Sequence, residues 1–228
     1  MSTRLDSYPS ITALICTLNE EQNLPHVLPR IPVWVNEVLV VDGHSTDKTV
    51  EVARKIRPDI RILGQPGEGK GDALRYVIEH ASGDIIVTLD ADGNTDPEEL
   101  PRFIEPLLDG CDFAKGSRFL NSSPVRMSRH RRVGNWILTT VTNIIFGSKY
   151  TDMCSGFNAV WKKAWQKVEF PDEFGYEPLI TIRARRAGLK IVEVPCTDRG
   201  RINGSSKLPS WRQGWGALKA IIRERLYG

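Results

Sequence analysis

Residues 84–92 read Asp-Ile-Ile-Val-Thr-Leu-Asp-Ala-Asp. Five apolar or β-branched side chains in a row, closed by acidic residues, spell a short buried strand that ends in a polar turn. The pattern recurs outward from there. ITALICT at 11–17, EVLVVD at 37–42, RIL at 61–63 and DFAKGSRF at 112–119 are four more strands of the same kind. Helical stretches fall between them. One is expected from about Glu20 with Asn19 as its cap, and one over 45–56 with Val50, Ala53 and Ile56 on one face. A third is opened by the glycine-rich loop 67–71 and runs to about His80, and Pro97 starts a fourth. Strand and helix alternate five times, which predicts an α/β fold, a Rossmann-like, mostly parallel sheet with helices on both faces.

After Phe119 the rhythm changes. Residues 121–132 are a polar loop with four arginines, and 133–147 an apolar helical stretch. SGFNAVWKK at 155–163 is a strand, 174–187 a helix ending at Gly188, and KIVEVPC a last strand. A basic loop at 198–208 leads to an amphipathic helix over 210–226. No linker separates a second domain, so 1–228 is expected to fold as one.

Composition limits the function classes. The 228 residues carry 31 basic and 28 acidic side chains, a net charge of +3 that argues against a general nucleic-acid binder. Four scattered cysteines include no Cys-x-x-Cys pair, so neither a zinc site nor a disulfide framework is expected, and a cytoplasmic setting is. The first residues, MSTRLDSYPS, have no apolar signal core, and no run of 18 apolar residues offers a bilayer span.

In open α/β sheets, ligands bind outside the carboxyl ends of the strands. Asp42 ends the second strand, Asp90-Ala91-Asp92 the fourth, and Arg118 the fifth. Two carboxylates at i and i+2 can turn toward one hard cation such as Mg²⁺ or Mn²⁺, which would bridge a diphosphate. The competing reading is an Asp-rich turn before a helix. Lys70 sits in a loop whose N–H groups could hold an anion, although the Walker spacing is absent. Arg201 and Lys207 add charge in RINGSSKL, where single basic residues otherwise serve a solvated face.

Together, ICTLNEEQNLP, VLVVDGHSTDKT, GKGDAL, VTLDADGNTDP, KGSRF, TDMCSGFNAVW, YEPLITIRARRAGLKIVEVP and RINGSSKL resemble the family-two glycosyltransferases. The match is closest in the dolichol-phosphate mannosyltransferase-like (polyprenyl-phosphate glycosyltransferase) branch. The resemblance implies a GT-A fold, Mg²⁺ or Mn²⁺, and an inverting transfer of a hexose, mannose or glucose, from a GDP- or UDP-sugar to a polyprenyl or dolichyl phosphate. It divides the chain into a donor half (10–119), an acceptor half (120–208) and a C-terminal helix (209–228). Thr17, Asn19, Glu20, Asp42, Lys70, Asp90, Ala91 and Asp92 would hold the donor, and Asp90, Asp92 and Asn94 the metal. Arg118, Arg129, Arg131, Arg132, Arg201, Ser206 and Lys207 would bind phosphates. Relatives carry Asp-Asp-Gly-Ser where Asp42-Gly43-His44-Ser45 stands here, which leaves the base open. Many relatives also have C-terminal membrane helices, without which this chain is expected to work at a membrane surface.

A lipid phosphate is already ionised and needs little base catalysis, whereas an alcohol needs a carboxylate, for which Asp152 and Glu177 are the candidates beside Asp92 and Arg118 in the catalytic set. Transfer to a soluble or protein-bound hydroxyl is thus one alternative, and a catalytically silent nucleotide-sugar-binding subunit another. The stretches 133–147 and 210–226 pair apolar stripes with arginines. They suit contact with a membrane surface or membrane subunit, or else core or dimer packing.

Overall fold

The computed structural model describes residues 8–67, 69–120, 126–170, 176–205 and 210–227. Among the described residues, seven strands form one sheet: β1 (Ile11–Thr17), β2 (Glu37–Asp42), β3 (Arg61–Gly64), β4 (Ile85–Asp90), β5 (Phe113–Ser117), β6 (Asn158–Trp161) and β7 (Ile191–Pro195). Their order is β3-β2-β1-β4-β6-β5-β7. Only β6 runs against its neighbours, antiparallel to both β4 and β5. The other strands share one direction, so their carboxyl ends form a common edge. Because β6 is reversed, its lead-in residues Ser155-Gly156-Phe157 arrive at that same edge.

The helices are α1 (Leu24–Val27), α2 (Thr49–Ile56), α3 (Gly69–His80), α4 (Leu100–Leu108), α5 (Arg129–Phe146), α6 (Lys162–Trp165), α7 (Tyr176–Arg186) and α8 (Ser210–Tyr227). Strand periodicity sorts the core. Ile11, Ala13 and Ile15 of β1 face a cluster closed by Leu24, Ala53, Phe103 and Leu107. Leu14 faces the opposite cluster, with Leu74, Val77, Trp165 and Ile180. A third cluster joins α5, α7 and α8 through Leu138, Leu179, Ile182, Ala217 and Ile221. Glu224 of α8 is buried and bonds Arg183 and Arg186 of α7 at 2.8 and 2.9 Å, which latches α8 to the body.

Several sequence expectations are corrected here. The first helix begins at Leu24, behind Asn23, because Asn19 sits in the left-handed region at φ 55° and caps nothing of its own. The second begins at Thr49: Ser45 Oγ accepts from the Asn19 N–H in the preceding wall, and Asp47 Oδ1 accepts from the Thr49 N–H at the helix start. Pro97 opens a short 3₁₀ turn (Pro97–Glu99), capped by Asp96, and α4 follows. Arg129, Arg131 and Arg132 are not in a loop but in the first turns of α5, which ends on Gly147 at φ 60°. Residues 162–163, read as strand, begin α6.

Candidate active site

Register builds the donor side. Thr17 pairs with Asp42 across β1 and β2, and Cys16 with Asp90 across β1 and β4, so these groups lie in adjacent rows at the edge. The Thr17 hydroxyl donates to Asp42 Oδ1 at 3.2 Å, and the Ser45 N–H donates to Oδ2 at 3.0 Å. Asn19 ties the two loops together: its N–H donates to Ser45 Oγ at 2.8 Å, and its Oδ1 accepts from the Thr46 N–H at 2.6 Å. Asn19 and His44 are the non-glycine residues at positive φ among those described, 55° and 64°, and both stand in this wall. Such backbone strain concentrates at ligand sites. The Glu20 N–H is fixed by Thr49 Oγ1 at 2.7 Å.

Asp90 and Asp92 flank the buried Ala91 just beyond β4. A Cβ on Gly156 would lie 2.6 Å from Asp90 Oδ2, so the absence of a side chain there gives the Asp90 carboxylate its space. The Asp92 carboxyl is pushed up to about 6, first by burial and then by the Asp90 charge; the Asn94 N–H at 3.1 Å and Arg201 oppose the rise. Two carboxylates this close call for a cation. Arg201 supplies part of that charge: Nη2 meets Glu20 Oε2 at 2.6 Å and Nη1 lies 3.5 Å from Asp92 Oδ2. Glu20, Asp92 and Arg201, distant in sequence, thus converge. The loop carrying Arg201 is seated on the acidic turn by Ile202 N–H to Asp92 O at 3.1 Å and Arg199 N–H to Asn94 O at 2.8 Å. Asn94 Oδ1 is buried and has no hydrogen-bond partner among the described residues. The Asp90 and Asp92 carboxylates, and the Asn94 amide two residues on, are oxygen donors of the kind Mg²⁺ and Mn²⁺ take.

The acceptor side turns on Asp152, which is fully buried. Arg118 donates to it through Nε at 2.7 Å, Nη2 at 2.9 Å and its backbone N–H at 3.2 Å. Asn135 Nδ2 and the Cys154 N–H add bonds of 2.9 Å each to Oδ1. Although burial raises an isolated carboxyl, the Arg118 bonds and charge prevail and hold Asp152 down at about 2. The Asp152 segment is pinned in turn by Lys115 Nζ on its carbonyl and by Glu193, which accepts from the Asp152 N–H at 3.1 Å. Enclosed and already bonded to Arg118, Asn135 and Cys154, Asp152 is poorly placed for the expected general-base role, and its hydrogen bonds orient Arg118. Much of the Arg118 fork is spent on Asp152 rather than turned to a phosphate.

Glu177, in the first turn of α7, lines a small, partly open hollow with Thr88, Ser155, Gly156, Asn158 and Trp165. Gly156 is thus shared by the hollow and by Asp90. Arg126, Arg129, Arg131 and Arg132 are exposed, and Arg126 packs by its Cβ toward Gly200 in the Arg201 loop. Ser206, Lys207 and the Lys70 side chain lie outside the described residues. The sequence reading missed Lys115, Asn135, Gly156 and Glu193. Of these, only Asn135 left a signal, a polar amide on the buried face of an apolar helix.

Residues 12–168 match the model described as Glycosyl transferase family 2. The chain belongs to that family. Among its relatives, the dolichyl-phosphate hexose transferase of Haloferax volcanii is 30% identical over 95% of this chain and 94% of its own length. The undecaprenyl-phosphate mannosyltransferase of Micrococcus luteus is 30% identical over 87% of each. The chain spans 65% of the length of another relative, glycosyltransferase AglJ of Haloferax volcanii, at 32% identity over 86% of this chain. The fold is GT-A. A glucosyl-3-phosphoglycerate synthase from Mycobacterium tuberculosis, solved with Mn²⁺ and UDP-glucose, superposes with a TM-score of 0.74 at 25% identity, covering 95% of this chain and 79% of that one. The same synthase has also been solved with Mg²⁺ and UDP.

Proposed function

We propose that this glycosyltransferase moves a hexosyl group from a nucleoside-diphosphate sugar to a polyprenyl phosphate, with inversion at the anomeric carbon. The acidic pair Asp90 and Asp92, with Gly156 leaving room beside Asp90 and the Asn94 amide two residues on, carries the reading. The names of the family-two relatives support the lipid-phosphate acceptor.

Asp90, Asp92 and Asn94 would hold a divalent ion, which when bound supplies positive charge beside the donor diphosphate. The wall of Thr17, Asn19 and Asp42 orients the base. An acceptor phosphate oxygen attacks the anomeric carbon as the carbon–oxygen bond to the diphosphate breaks, and the nucleoside diphosphate departs. No proton has to be removed, because the nucleophile arrives ionised. The side chains instead align two anions and offset their repulsion: Arg118 is set by Asp152, and Arg201 lies between Glu20 and Asp92. Burial of Asp152 removes one of the two candidate bases and so favours this acceptor over an alcohol. The second reading, a soluble hydroxyl acceptor, is favoured by Glu177 in the hollow beside Gly156.

The test pairs UDP- and GDP-hexoses with polyprenyl phosphate and soluble acceptors in the presence of Mn²⁺. Asp90→Asn and Asp92→Asn should each lower turnover by roughly 10²-fold or more, the size expected for lost electrostatic stabilisation. Full turnover in both variants would overturn the assignment of the site. Transfer to soluble acceptors alone would overturn the lipid reading.

A further inference from the structure

Residues 150–155 have no regular structure, and among the described residues no backbone–backbone hydrogen bond reaches them. Side chains hold this stretch instead, from two sides. Helix α5 supplies one rail, at intervals of four residues along one face. Asn143 donates to the Tyr150 carbonyl at 2.8 Å and accepts from the Tyr150 N–H at 2.9 Å. Thr139 Oγ1 accepts from the Met153 N–H at 3.2 Å, and Asn135 donates to the Asp152 carboxylate at 2.9 Å.

The sheet supplies the other rail. Lys115 of β5 stands in register with Asn158 of β6 and with Glu193 of β7, so the three side chains form a polar row on one face. Glu193 accepts from the Thr151 N–H at 2.9 Å, the Thr151 hydroxyl at 3.0 Å and the Asp152 N–H at 3.1 Å. Asn158 Nδ2 donates to the Ser155 carbonyl at 3.3 Å. Lys115 is 1% exposed, and its Nζ donates to the Asp152 carbonyl and, at 3.4 Å, to that of Gly116. A buried ammonium is costly, and an apolar side chain would fill a strand interior without that cost. What the lysine adds is a grip on one peptide, the one whose side chain holds Arg118.

We propose that Glu193, Lys115 and Thr139 are positioning residues for the transfer step. The two rails fix residues 150–155 so that Asp152 takes Nε and Nη2 of Arg118 and leaves Nη1 for the acceptor phosphate. None of the three touches substrate; each acts through Asp152 and Arg118. A shell of this kind keeps a charged group within the fraction of an ångström that transfer demands. The inference rests on the lipid-phosphate reading for the identity of the acceptor.

Initial rates of the purified full chain with Mn²⁺, varying a UDP- or GDP-hexose and geranyl phosphate in turn, test it. Glu193→Gln keeps the shape but can turn an amide N–H onto the N–H groups it now accepts from. It should lower kcat/KM for geranyl phosphate about tenfold or more and leave the donor KM within about twofold of wild type. Thr139→Val, which breaks the opposite rail, should show the same split, and Thr139→Ser, which keeps the hydroxyl, should restore the wild-type constants. Glu224→Gln loosens the latch between α7 and α8, and should lower the melting temperature without any such split. Because Glu193 acts through Arg118, adding Glu193→Gln to Arg118→Lys should cost less than about twofold more. Wild-type acceptor constants in both Glu193→Gln and Thr139→Val would overturn the inference. So would a donor KM that rises as much as the acceptor's, or losses that multiply in full in the double variant. If Glu193→Gln loses its native melting transition, the Thr139 variants decide alone. A wild type that uses only a soluble acceptor overturns the lipid reading instead, and the same variants are then compared on that acceptor.

Discussion

Around Asp152, five N–H donors converge on one enclosed carboxylate: three from Arg118, one from Asn135 and one from Cys154. Removing its charge would leave the buried Arg118 guanidinium without a counter-ion, which typically costs about 3–5 kcal/mol. Asp152→Asn should therefore lower the stability measured by urea unfolding at neutral pH by that order, and reduce transfer because Arg118 loses its orientation. The pH dependence has a definite sign. Asp152 is held at about 2 against an ordinary 3.8, so its contribution is full above the ordinary value and drains away as pH falls toward 2. Wild-type stability should fall steeply across that acid window, and the Asp152→Asn protein should fall less. Parallel acid limbs for the two proteins would count against the anchor role.

At the scale of elements, the reversed strand β6 decides what reaches the acidic edge. Its lead-in brings Gly156 against Asp90, and a methyl group there would press on both carboxylate oxygens at 2.6 and 2.7 Å. Gly156→Ala should displace the Asp90 side chain by a fraction of an ångström to an ångström, and misplacement on that scale costs up to about 10²-fold in rate. Initial rates against Mn²⁺ concentration would show it as weaker metal dependence and lower turnover in a protein with a native circular dichroism spectrum; wild-type rates would mean the carboxylate does not need that space. The strands around β4 were legible because continuous apolar runs closed by acidic or glycine residues have few other meanings. The direction of β6 was not, since NAVW reads alike in either sense and only its partners orient it. Asn19 was misread for a related reason: an asparagine before a helical stretch signals a cap locally, whereas here it bridges to Thr46 in a loop 27 residues on.

Over the whole molecule, the legible part of the site was the part built from one segment, Asp90 at the end of β4 and Asp92 just beyond it. The illegible part was built by convergence: Arg201, from the loop after β7, reaches both Glu20 of the β1 loop and Asp92 only once the sheet has formed. That convergence has a thermodynamic consequence. Burial and the neighbouring carboxylates raise Asp92 to about 6, so its protonated form is favoured by folding, and the advantage is lost as pH rises through that value. At pH 8 the ionised side chain costs the metal-free fold about 1–3 kcal/mol. Asp92→Asn removes the charge at nearly constant shape. Without metal at pH 8, the variant should melt several degrees above wild type, at roughly 2–4 °C per kcal/mol for a chain of this size. At about pH 4 and below, where Asp92 is protonated in the folded protein and increasingly so in the unfolded chain, the two should converge. Mn²⁺ with a nucleoside diphosphate should stabilise wild type more than the variant and narrow the gap at pH 8. Scanning calorimetry at the two pH values, with and without those ligands, measures all of this. An Asp92→Asn protein that melts below wild type at pH 8 without metal would show that Arg201 already balances the site, and that the acidic pair was not held in wait for a second cation.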